Sequence, residues 1–236
     1  MTLNEIMNDC SSDKGDSIGA KHNYTPIYES YFEKHRNDNI RFMEVGIDLG
    51  QSVIGWNKYF TVAKIFMIDI RDFSNLNTNR VTCIRADQSK IGDLLAVANT
   101  VKEIDFFIDD GGHCMHHQQL TFGAIFPIMK SGGLFFIEDV HTSNWNPATQ
   151  PPNSPGYCYG QPLMIGADGN NTIRVFKTFQ KTGIFYSEFL SAEENKFLTE
   201  SIDSVIIYDD YNNEVPIESS NELSIVKNGV ILIRKK

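Results

Sequence analysis

Two short apolar runs in this 236-residue chain end abruptly in carboxylates and a histidine. Residues 104–108 lead into Asp109, Asp110 and His113. Residues 134–137 lead into Glu138, Asp139 and His141. A near-uniform apolar run is typical of a buried parallel strand, and the carboxyl ends of such strands open into the ligand crevice of an α/β sheet. The pattern therefore predicts that these carboxylates meet in one crevice.

Carboxylates gathered so closely repel one another unless a positive group lies between them. A hard cation with oxygen ligands is the simplest candidate, and a nearby histidine can exchange protons near neutral pH. The alternative is a solvated acidic rim, which the apolar runs before both acidic ends disfavour. We therefore interpret the chain as a metal-assisted enzyme. The next predicted helix carries His116 and His117, and a position on its surface explains them better than a role as metal ligands.

Strands and helices alternate up to residue 140, which is the βαβ pattern of a doubly wound, mostly parallel α/β sheet of the Rossmann type. The strands after residue 200 have no helices between them, so we expect antiparallel C-terminal strands at one sheet edge. Residues 223–233 fit two short strands around an Asn-Gly turn or one strand with a bulge.

A glycine-containing turn follows the first predicted strand. It has the pattern Glu-x-Gly-x-x-x-Gly, formed by Glu44, Gly46 and Gly50. Glycine permits close approach of the backbone to a ligand at a strand-to-helix turn. The spacing is neither that of a dinucleotide site nor that of a Walker A loop. Alone, this turn is a weak signal of a bound cofactor.

Acidic and amide side chains at the ends of the next two strands strengthen that signal. Asp69 lies near the roughly 20-residue offset at which an acid meets ribose hydroxyls in nucleotide-binding α/β units. Asp87 and Gln88 could contact an adenine edge, or they could cap a helix. We expect Asp69 to bind ribose.

The length predicts one domain, residues 1–236, with an N-terminal loop and helix cap at residues 1–35. His22 and Tyr24 in that cap could line a lid over the substrate, although surface polarity and helix packing explain them as well. Residues 141–171 lack any period, and a loop of this length is usually functional. We assign it to substrate recognition, with its His141 able to line the site and its aromatic residues as pocket walls: Trp145, Tyr157 and Tyr159.

The formal net charge of −9 disfavours nucleic acid as a partner. The apolar runs are too short to cross a membrane, and no basic-then-apolar leader begins the chain, so the sequence favours a cytoplasmic protein without membrane association. The four cysteines lack metal-ligand or disulfide spacing and are expected to be free thiols. A small molecule or a glycan is the expected acceptor, and a homo-oligomer is possible.

These features together resemble class I S-adenosylmethionine-dependent methyltransferases. Over roughly residues 11 to 145, further motifs resemble the metal-dependent sugar O-methyltransferases of macrolide biosynthesis. Those motifs are Ser-Asp-Lys-Gly at 12–15, His-x-Tyr at 22–24, Asp-Asp-Gly-Gly-His at 109–113 and Glu-Asp-x-His-Thr-Ser at 138–143. Known macrolide-modifying members often carry Ser where this chain has Gly112.

The resemblance implies that Mg²⁺ is bound by Asp110, Glu138 and Asp139, and that His113 is the general base. It also implies that Glu44, Gly46 and Gly50 lie near the methionine part of S-adenosylmethionine, that Asp69 holds the ribose, and that Asp87 and Gln88 face the adenine. Asp109 would lie on the cofactor side of the site, with a capping or backbone-binding role favoured over a metal-ligand role.

The resulting hypothesis is a Mg²⁺-dependent O-methyltransferase that acts on a sugar hydroxyl of a natural product or a bacterial surface glycan. One alternative is a methyltransferase with a non-sugar small-molecule acceptor. A nicotinamide-dependent oxidoreductase on a similar fold is another, which the glycine spacing disfavours. The last is a non-catalytic cofactor-binding or scaffolding protein.

Overall fold

The computed structural model describes residues 1–17, 22–140, 171–208 and 229–236. The described strands form one seven-stranded sheet in the order β3-β2-β1-β4-β5-β7-β6. The strands are β1 (Arg41–Val45), β2 (Lys64–Asp69), β3 (Val81–Arg85), β4 (Ile104–Asp109), β5 (Met129–Ile137), β6 (Ile202–Tyr208) and β7 (Val230–Lys235). The five strands β1 to β5 pair in parallel, and β7 pairs antiparallel with both β5 and β6. The predicted doubly wound sheet with antiparallel C-terminal strands is confirmed.

Seven α-helices accompany these strands in the described part of the chain. They are α1 (Leu3–Asp9), α2 (Thr25–Phe32), α3 (Gln51–Tyr59), α4 (Ile91–Val101), α5 (Met115–Ile125), α6 (Thr172–Thr182) and α7 (Ala192–Ser201). Short 3-10 turns lie at Glu33–His35, Ser74–Leu76 and Phe126–Ile128. The capping box at Ser191 begins α7, as the sequence indicates. Helix α1 begins with a second capping box at Thr2, which the sequence analysis missed.

The helices cover both faces of the sheet because strand residues point alternately to opposite sides. Phe106 and Ile108 of β4 pack in one buried cluster with residues of α1, α2 and α3, whereas Phe107 packs in the other with residues of α4 to α7. In β1, Phe42 likewise belongs to the first cluster and Met43 to the second. The alternation fixes which layer each strand-end side chain faces.

Three local features differ from expectation or fall outside the described residues. The Ser-Gly-Gly sequence at 131–133 predicts a tight turn before a strand, but these residues lie within β5, which extends from Met129 to Ile137, with Gly132 at φ +76°. In the region 223–233, the described residues contain strand β7, and residues up to 228 lie outside the described part. Cys10 and Cys83 are free, but Cys114 is disulfide-bonded, so the expectation of free thiols is wrong at Cys114.

No described helix is long and apolar enough to span a membrane.

Candidate active site

The crevice lies where the strand order reverses, between β1 and β4. Backbone hydrogen bonds continue each parallel pairing past the strand ends: Gly46 N donates to Ile68 O at 2.8 Å and Asp110 N donates to Val45 O at 3.0 Å. Glu138 N donates to Asp109 O at 2.9 Å in the same way. These bonds hold the glycine turn and both acidic ends at one edge of the sheet.

Gly46 allows the first turn to pass directly over the end of β4. Its φ is +100°, and a Cβ built there would overlap the carbonyl oxygen of Asp110. A side chain is therefore excluded twice, by backbone conformation and by space. The space that a side chain would take is occupied by the Asp110 carbonyl, so the glycine brings the turn after β1 directly against the turn after β4 that carries the carboxylates.

Asp110, His113 and Asp139 form a compact group at the ends of β4 and β5. One ligand atom from each lies within 4.8 Å of the others. His113 Nε2 is 3.6 Å from Asp139 Oδ2 and 3.9 Å from Asp110 Oδ1. Carboxylate oxygens that share one magnesium ion lie roughly 3 to 4 Å apart. The Asp110 and Asp139 oxygens, which lie within 4.8 Å of each other, therefore suit a shared divalent cation with His113 Nε2 beside it.

The backbone is unusual at two members of this group. His113 has φ +55° and Asp139 has φ +51°, in the left-handed region that residues with a side chain adopt at an energetic cost. Such conformations persist only where the surrounding structure imposes them, and they concentrate at functional sites. The strained backbone at His113 and Asp139 favours a functional role for the turns after β4 and β5 over a solvated acidic rim.

Glu138 lies in the buried part of the crevice, where it contacts Lys14. Lys14 Nζ is 2.9 and 3.0 Å from the two Glu138 oxygens, and it also contacts Asp110 Oδ2. The Tyr28 hydroxyl donates to Glu138 Oε1. Both oxygens of Glu138 therefore accept hydrogen bonds from the chain itself, which separates Glu138 from the group of Asp110, His113 and Asp139.

Burial would by itself lower the pKa of Lys14, whose side chain is 1% exposed. The facing carboxylates of Asp110, Glu138 and Glu44 outweigh that effect and hold the pKa well above its usual range. Burial, followed by the negative charge of Asp110, raises the pKa of Glu138 well above its usual range. Lys14 is therefore a fully charged ammonium within the acid cluster.

Glu44, near the end of β1, lies in the same buried part of the crevice. It accepts a hydrogen bond from Trp56 Nε1, and its Oε1 lies 3.6 Å from Lys14 Nζ. Burial, partly offset by Lys14, raises the pKa of Glu44 to about 7. Among the described residues, Glu44 Oε1 has no hydrogen-bond partner. A buried acceptor without a donor beside the Gly46 turn fits a bound ligand that carries a donor or a positive charge.

The N-terminal cap reaches the site through its aromatic residues. Tyr24 is fully buried, and its hydroxyl donates to Asp139 Oδ1 at 2.6 Å. His22 Nδ1 lies 3.4 Å from the same oxygen, and the His22 and Tyr24 rings stack with centroids 5.3 Å apart. Surface polarity does not explain either residue, because both side chains point at the predicted metal ligand.

The Gln88 side chain braces the acidic turn after β4. Its Nε2 donates to Asp109 Oδ1 at 2.7 Å and to Thr121 Oγ1 at 3.0 Å, and its Oε1 accepts from Gly112 N at 2.8 Å. Asp109 Oδ1 also accepts from Gly111 N at 3.4 Å, in keeping with a backbone-binding role. Burial raises the pKa of Asp109 to about 6. The amide of Gln88 is thus directed at the protein.

Asp69 and Asp87 both brace their own turns. Asp69 Oδ2 accepts from Ile47 N at 3.0 Å, and its Oδ1 accepts from Arg71 N at 2.8 Å, which ties the glycine turn to the end of β2. Asp87 Oδ1 accepts from Ser89 N at 3.0 Å, and Asp87 Oδ2 pairs with Lys90 at 3.0 Å. The structure places both acids at the expected strand ends, and their ribose and adenine roles stay predictions.

A second group of possible metal ligands comprises Cys114, His116 and His117. A cysteine in a disulfide offers no thiolate, so Cys114 does not support a metal site there. The two histidines are half-buried rather than on an open helix surface. Burial lowers the pKa of His117 to about 4. His117 Nδ1 fills the space that a side chain at Gly112 would need.

The predicted recognition loop 141–171 lies almost entirely outside the described residues. Its predicted site residues are outside them too: His141, Trp145, Tyr157 and Tyr159.

Among the described residues, sequence reasoning missed the direct contacts of Lys14 and Tyr28 with the acid cluster. The available signal was the Ser-Asp-Lys-Gly motif, which had no role assigned to it. A buried lysine is rare unless it is paired, but its burial is not visible in a sequence.

No family model matches the chain. It is 34% identical over 145 residues to demethylmacrocin O-methyltransferase of Streptomyces fradiae, covering 58% of this chain and 36% of that protein. It is 30% identical over 187 residues to a tetracenomycin-C rhamnosyl 3'-O-methyltransferase of Streptomyces olivaceus, covering 75% and 44%. Mycinamicin VI 2''-O-methyltransferase of Micromonospora griseorubida is 33% identical over 155 residues, covering 63% and 39%. The chain therefore spans less than half the length of these relatives.

The fold is similar to that of the methyltransferase MycE from the mycinamycin biosynthetic pathway, solved with Mg, SAH and mycinamycin VI. The TM-score is 0.72 at 23% identity, over 100% of this chain and 54% of MycE. A crystal form of MycE with Mg and SAH gives the same TM-score at 22% identity, over 100% of this chain and 55% of MycE. Fold and sequence matches together confirm the resemblance: this chain has the class I methyltransferase fold and is related to sugar O-methyltransferases of the macrolide type.

Proposed function

We propose that this chain is a Mg²⁺-dependent O-methyltransferase that transfers the methyl group of S-adenosylmethionine to a sugar hydroxyl of a natural product or a bacterial surface glycan. The observation that carries the proposal is the group of Asp110, His113 and Asp139, with ligand atoms within 4.8 Å of one another. It lies beside the Gly46 turn in a chain related to sugar methyltransferases.

Asp110, Glu138 and Asp139 would hold the cation from the ends of β4 and β5, with Glu138 as the third carboxylate ligand. Magnesium prefers such oxygen ligands and leaves coordination positions for water or substrate. When bound, the cation would lower the pKa of a coordinated hydroxyl, and S-adenosylmethionine would supply a methyl group to the oxygen. Tyr24 orients Asp139 by a 2.6 Å hydrogen bond, which fixes one ligand before any ion binds.

His113 would take the hydroxyl proton. Its Nε2 faces both predicted ligands, at 3.6 and 3.9 Å, so an acceptor held there would lie within its reach. The proton of the hydroxyl would go to Nε2, the oxygen would bond the methyl carbon, and the carbon–sulfur bond would break to leave S-adenosylhomocysteine. This methyl transfer needs no covalent enzyme intermediate.

The Gly46 side of the crevice would hold the cofactor. Gly46 keeps the turn free of a side chain. Glu44 Oε1, which lies 3.6 Å from Lys14 Nζ and accepts no hydrogen bond from the described residues, suits a cationic or donor group of the methionine portion. Asp69 and Asp87 at the ends of β2 and β3 are placed to extend this surface toward the nucleoside.

Calorimetric titration of S-adenosylhomocysteine and then Mg²⁺ into the protein tests the proposal. We expect the wild type to bind both ligands and Asp110→Asn to lose the metal while it retains S-adenosylhomocysteine. Asp38→Asn, at an exposed pair with His35, is the matched control and should bind both normally. A wild type that does not bind S-adenosylhomocysteine would refute the methyltransferase proposal.

The alternatives give different results in the same assay. Binding of NAD in place of S-adenosylhomocysteine would favour a nicotinamide-dependent oxidoreductase. Cofactor binding without Mg²⁺ binding or turnover over a broad sugar panel would favour a non-catalytic protein. Turnover with polyhydroxylated compounds other than sugars would assign a non-sugar acceptor. The sugar class is favoured because the relatives act on sugar-bearing macrolides and tetracenomycins by name.

A further inference from the structure

Gln118 of α5 is a fully buried amide that contacts the backbone between two predicted metal ligands. Its Nε2 donates to the carbonyl oxygen of Glu138 at 3.2 Å, and its side chain is 0% exposed. That carbonyl belongs to the planar peptide unit that joins Glu138 to Asp139. The hydrogen bond therefore restricts both residues at once, Glu138 in its ψ angle and Asp139 in its φ angle.

The peptide unit that Gln118 holds is one that the chain adopts only with support. Asp139 has φ +51°, in the left-handed region that disfavours a residue with a side chain. Such a conformation persists where the surrounding structure imposes it. A flip of this peptide would turn the Glu138 carbonyl away from α5 and let Asp139 relax. The hydrogen bond from Gln118 opposes that flip.

Helix α5 connects this turn to the other acidic turn of the site. It begins at Met115, directly after the turn that carries Asp110 and His113. Gln118 lies in its first turn, where Gln118 N donates to Cys114 O at 3.0 Å. One helix thus follows the turn after β4 in the chain and holds the turn after β5 through Gln118. It fixes the two acidic turns relative to each other.

Packing alone does not account for an amide at this position. A carbonyl oxygen only accepts hydrogen bonds, so the contact with Glu138 requires the amide nitrogen of Gln118 on that side. Gln118 Oε1 is then buried, and it accepts no hydrogen bond from the described residues. A Met side chain of similar length would fill the space without leaving a buried acceptor unpaired. The amide at this position therefore favours a role for its donor at Glu138.

We propose that Gln118 is a positioning residue of this site: it locks the peptide between Glu138 and Asp139, so that both carboxylates are in place before the divalent ion binds. This inference rests on the proposed function, because it concerns the metal assigned there. Ligands that are already ordered bind an ion more tightly, since less conformational freedom is lost on binding. The cofactor side should be unaffected, because the glycine turn follows β1, which β4 separates from β5.

The test compares wild type, Gln118→Met and Asn195→Leu in calorimetric titrations of Mg²⁺ and of S-adenosylhomocysteine. Asn195 is the matched control, a buried amide of α7 that donates to Ser187 O at 2.9 Å and to Leu190 O at 3.1 Å. We expect Gln118→Met to bind Mg²⁺ about tenfold more weakly than wild type and to bind S-adenosylhomocysteine normally. Asn195→Leu should lower the unfolding temperature without changing either affinity.

Three results of these titrations would overturn the proposal. They are an unchanged Mg²⁺ affinity in Gln118→Met, an equal loss of Mg²⁺ affinity in both variants, and a joint loss of Mg²⁺ and S-adenosylhomocysteine binding in Gln118→Met. The last two would show a general disturbance of the fold instead of a local effect on the metal ligands.

A second measurement needs no metal. Val140 N donates to Gly229 O at 3.2 Å, directly after the turn that Gln118 holds. In the metal-free protein, the Val140 amide hydrogen should exchange with solvent faster in Gln118→Met than in wild type, because the turn opens more often. Asn195→Leu should leave this exchange unchanged. Equal exchange rates in Gln118→Met and wild type would overturn the proposal.

A third measurement uses the wild type alone, in case Gln118→Met does not fold. Addition of Mg²⁺ should shift the NMR resonance of the Gln118 side-chain amide, because the ion polarises the peptide between its two ligands. The resonance of the Asn195 side-chain amide should stay in place. A Gln118 resonance that does not move while Mg²⁺ binds would overturn the proposal.

The failures are distinguishable from that of the proposed function. A wild type that binds S-adenosylhomocysteine but no divalent cation refutes the metal part of the proposed function, and the role of Gln118 falls with it. A wild type that binds both ligands, with Mg²⁺ affinity and Val140 exchange unchanged in Gln118→Met, refutes the role of Gln118 alone.

Discussion

The Tyr24 hydroxyl donates a 2.6 Å hydrogen bond to Asp139 Oδ1, across 115 residues of sequence. Tyr24 stands immediately before α2, and Asp139 follows β5 with φ +51°. Burial, followed by the negative charge of Asp139, raises the pKa of Tyr24 well above its usual value, so the hydroxyl keeps its proton and remains a donor. The N-terminal cap thereby holds one predicted metal ligand in an unfavourable backbone conformation.

Tyr24→Phe should weaken divalent-cation binding by about tenfold, because loss of a hydrogen bond to a ligand typically costs 10- to 100-fold in metal affinity. Calorimetric titration with Mg²⁺ measures the change. Tyr31→Phe is the control: Tyr31 lies in α2 and bonds the Tyr208 hydroxyl at 2.8 Å, away from the acids. Equal affinities in the two variants would show that Tyr24 packs in the cap without acting on the metal ligand.

Gly46→Ala should abolish binding of S-adenosylhomocysteine and destabilise the fold, by roughly 2 kcal/mol or more, because φ +100° and the Asp110 carbonyl both oppose a Cβ. Gly92→Ala is a matched control in α4, where a Cβ would meet no atom within 4 Å. There the exchange should be neutral or stabilising by up to about 1 kcal/mol. Chemical denaturation and calorimetry report both quantities. Normal cofactor binding by Gly46→Ala would contradict the assigned position of the cofactor.

Gln88→Ala should loosen the turn that carries His113. The change removes the acceptor of Gly112 N and the 2.7 Å donor to Asp109 Oδ1, which should cost about 1–3 kcal/mol in free energy of unfolding. Hydrogen exchange at the Gly112 amide should accelerate in parallel. Gln180→Ala removes a single exposed hydrogen bond, to Val205 O, and should leave both quantities nearly unchanged. Unaltered exchange at Gly112 in Gln88→Ala would argue against a bracing role.

His117 should make the protein less stable in mild acid. Burial, with a smaller contribution from His116, lowers its pKa from about 6.5 to about 4. Between these values the unfolded chain binds a proton that the folded state does not, so stability falls as the pH drops from about 6.5 to about 4. His117→Gln should flatten this part of the curve of unfolding free energy against pH. An equally steep curve in His117→Gln and in the wild type would count against the assignment.

Patterns along the sequence were enough to predict the sheet and to predict that the carboxylates gather at one edge of it. Apolar runs of strand length place Asp110, Glu138 and Asp139 after β4 and β5, and parallel strands bring their carboxyl ends to one edge. The glycine turn and Asp69 follow from the same reasoning, because their positions depend only on strand order and local spacing. The antiparallel edge was equally predictable from strands without intervening helices.

The direction in which each acid points, and the groups that it contacts, became visible only in the folded chain. Lys14 and Tyr28 reach Glu138 from 124 and 110 residues away, through the packing of the N-terminal cap on the sheet. Gln88 turns toward the Asp109 turn because Gly111 and Gly112 leave room for its amide. Strand positions follow from periodic patterns along the chain, whereas these contacts depend on how separate layers pack. That packing is not encoded at any fixed spacing, and it places a cation at the centre of the acid cluster.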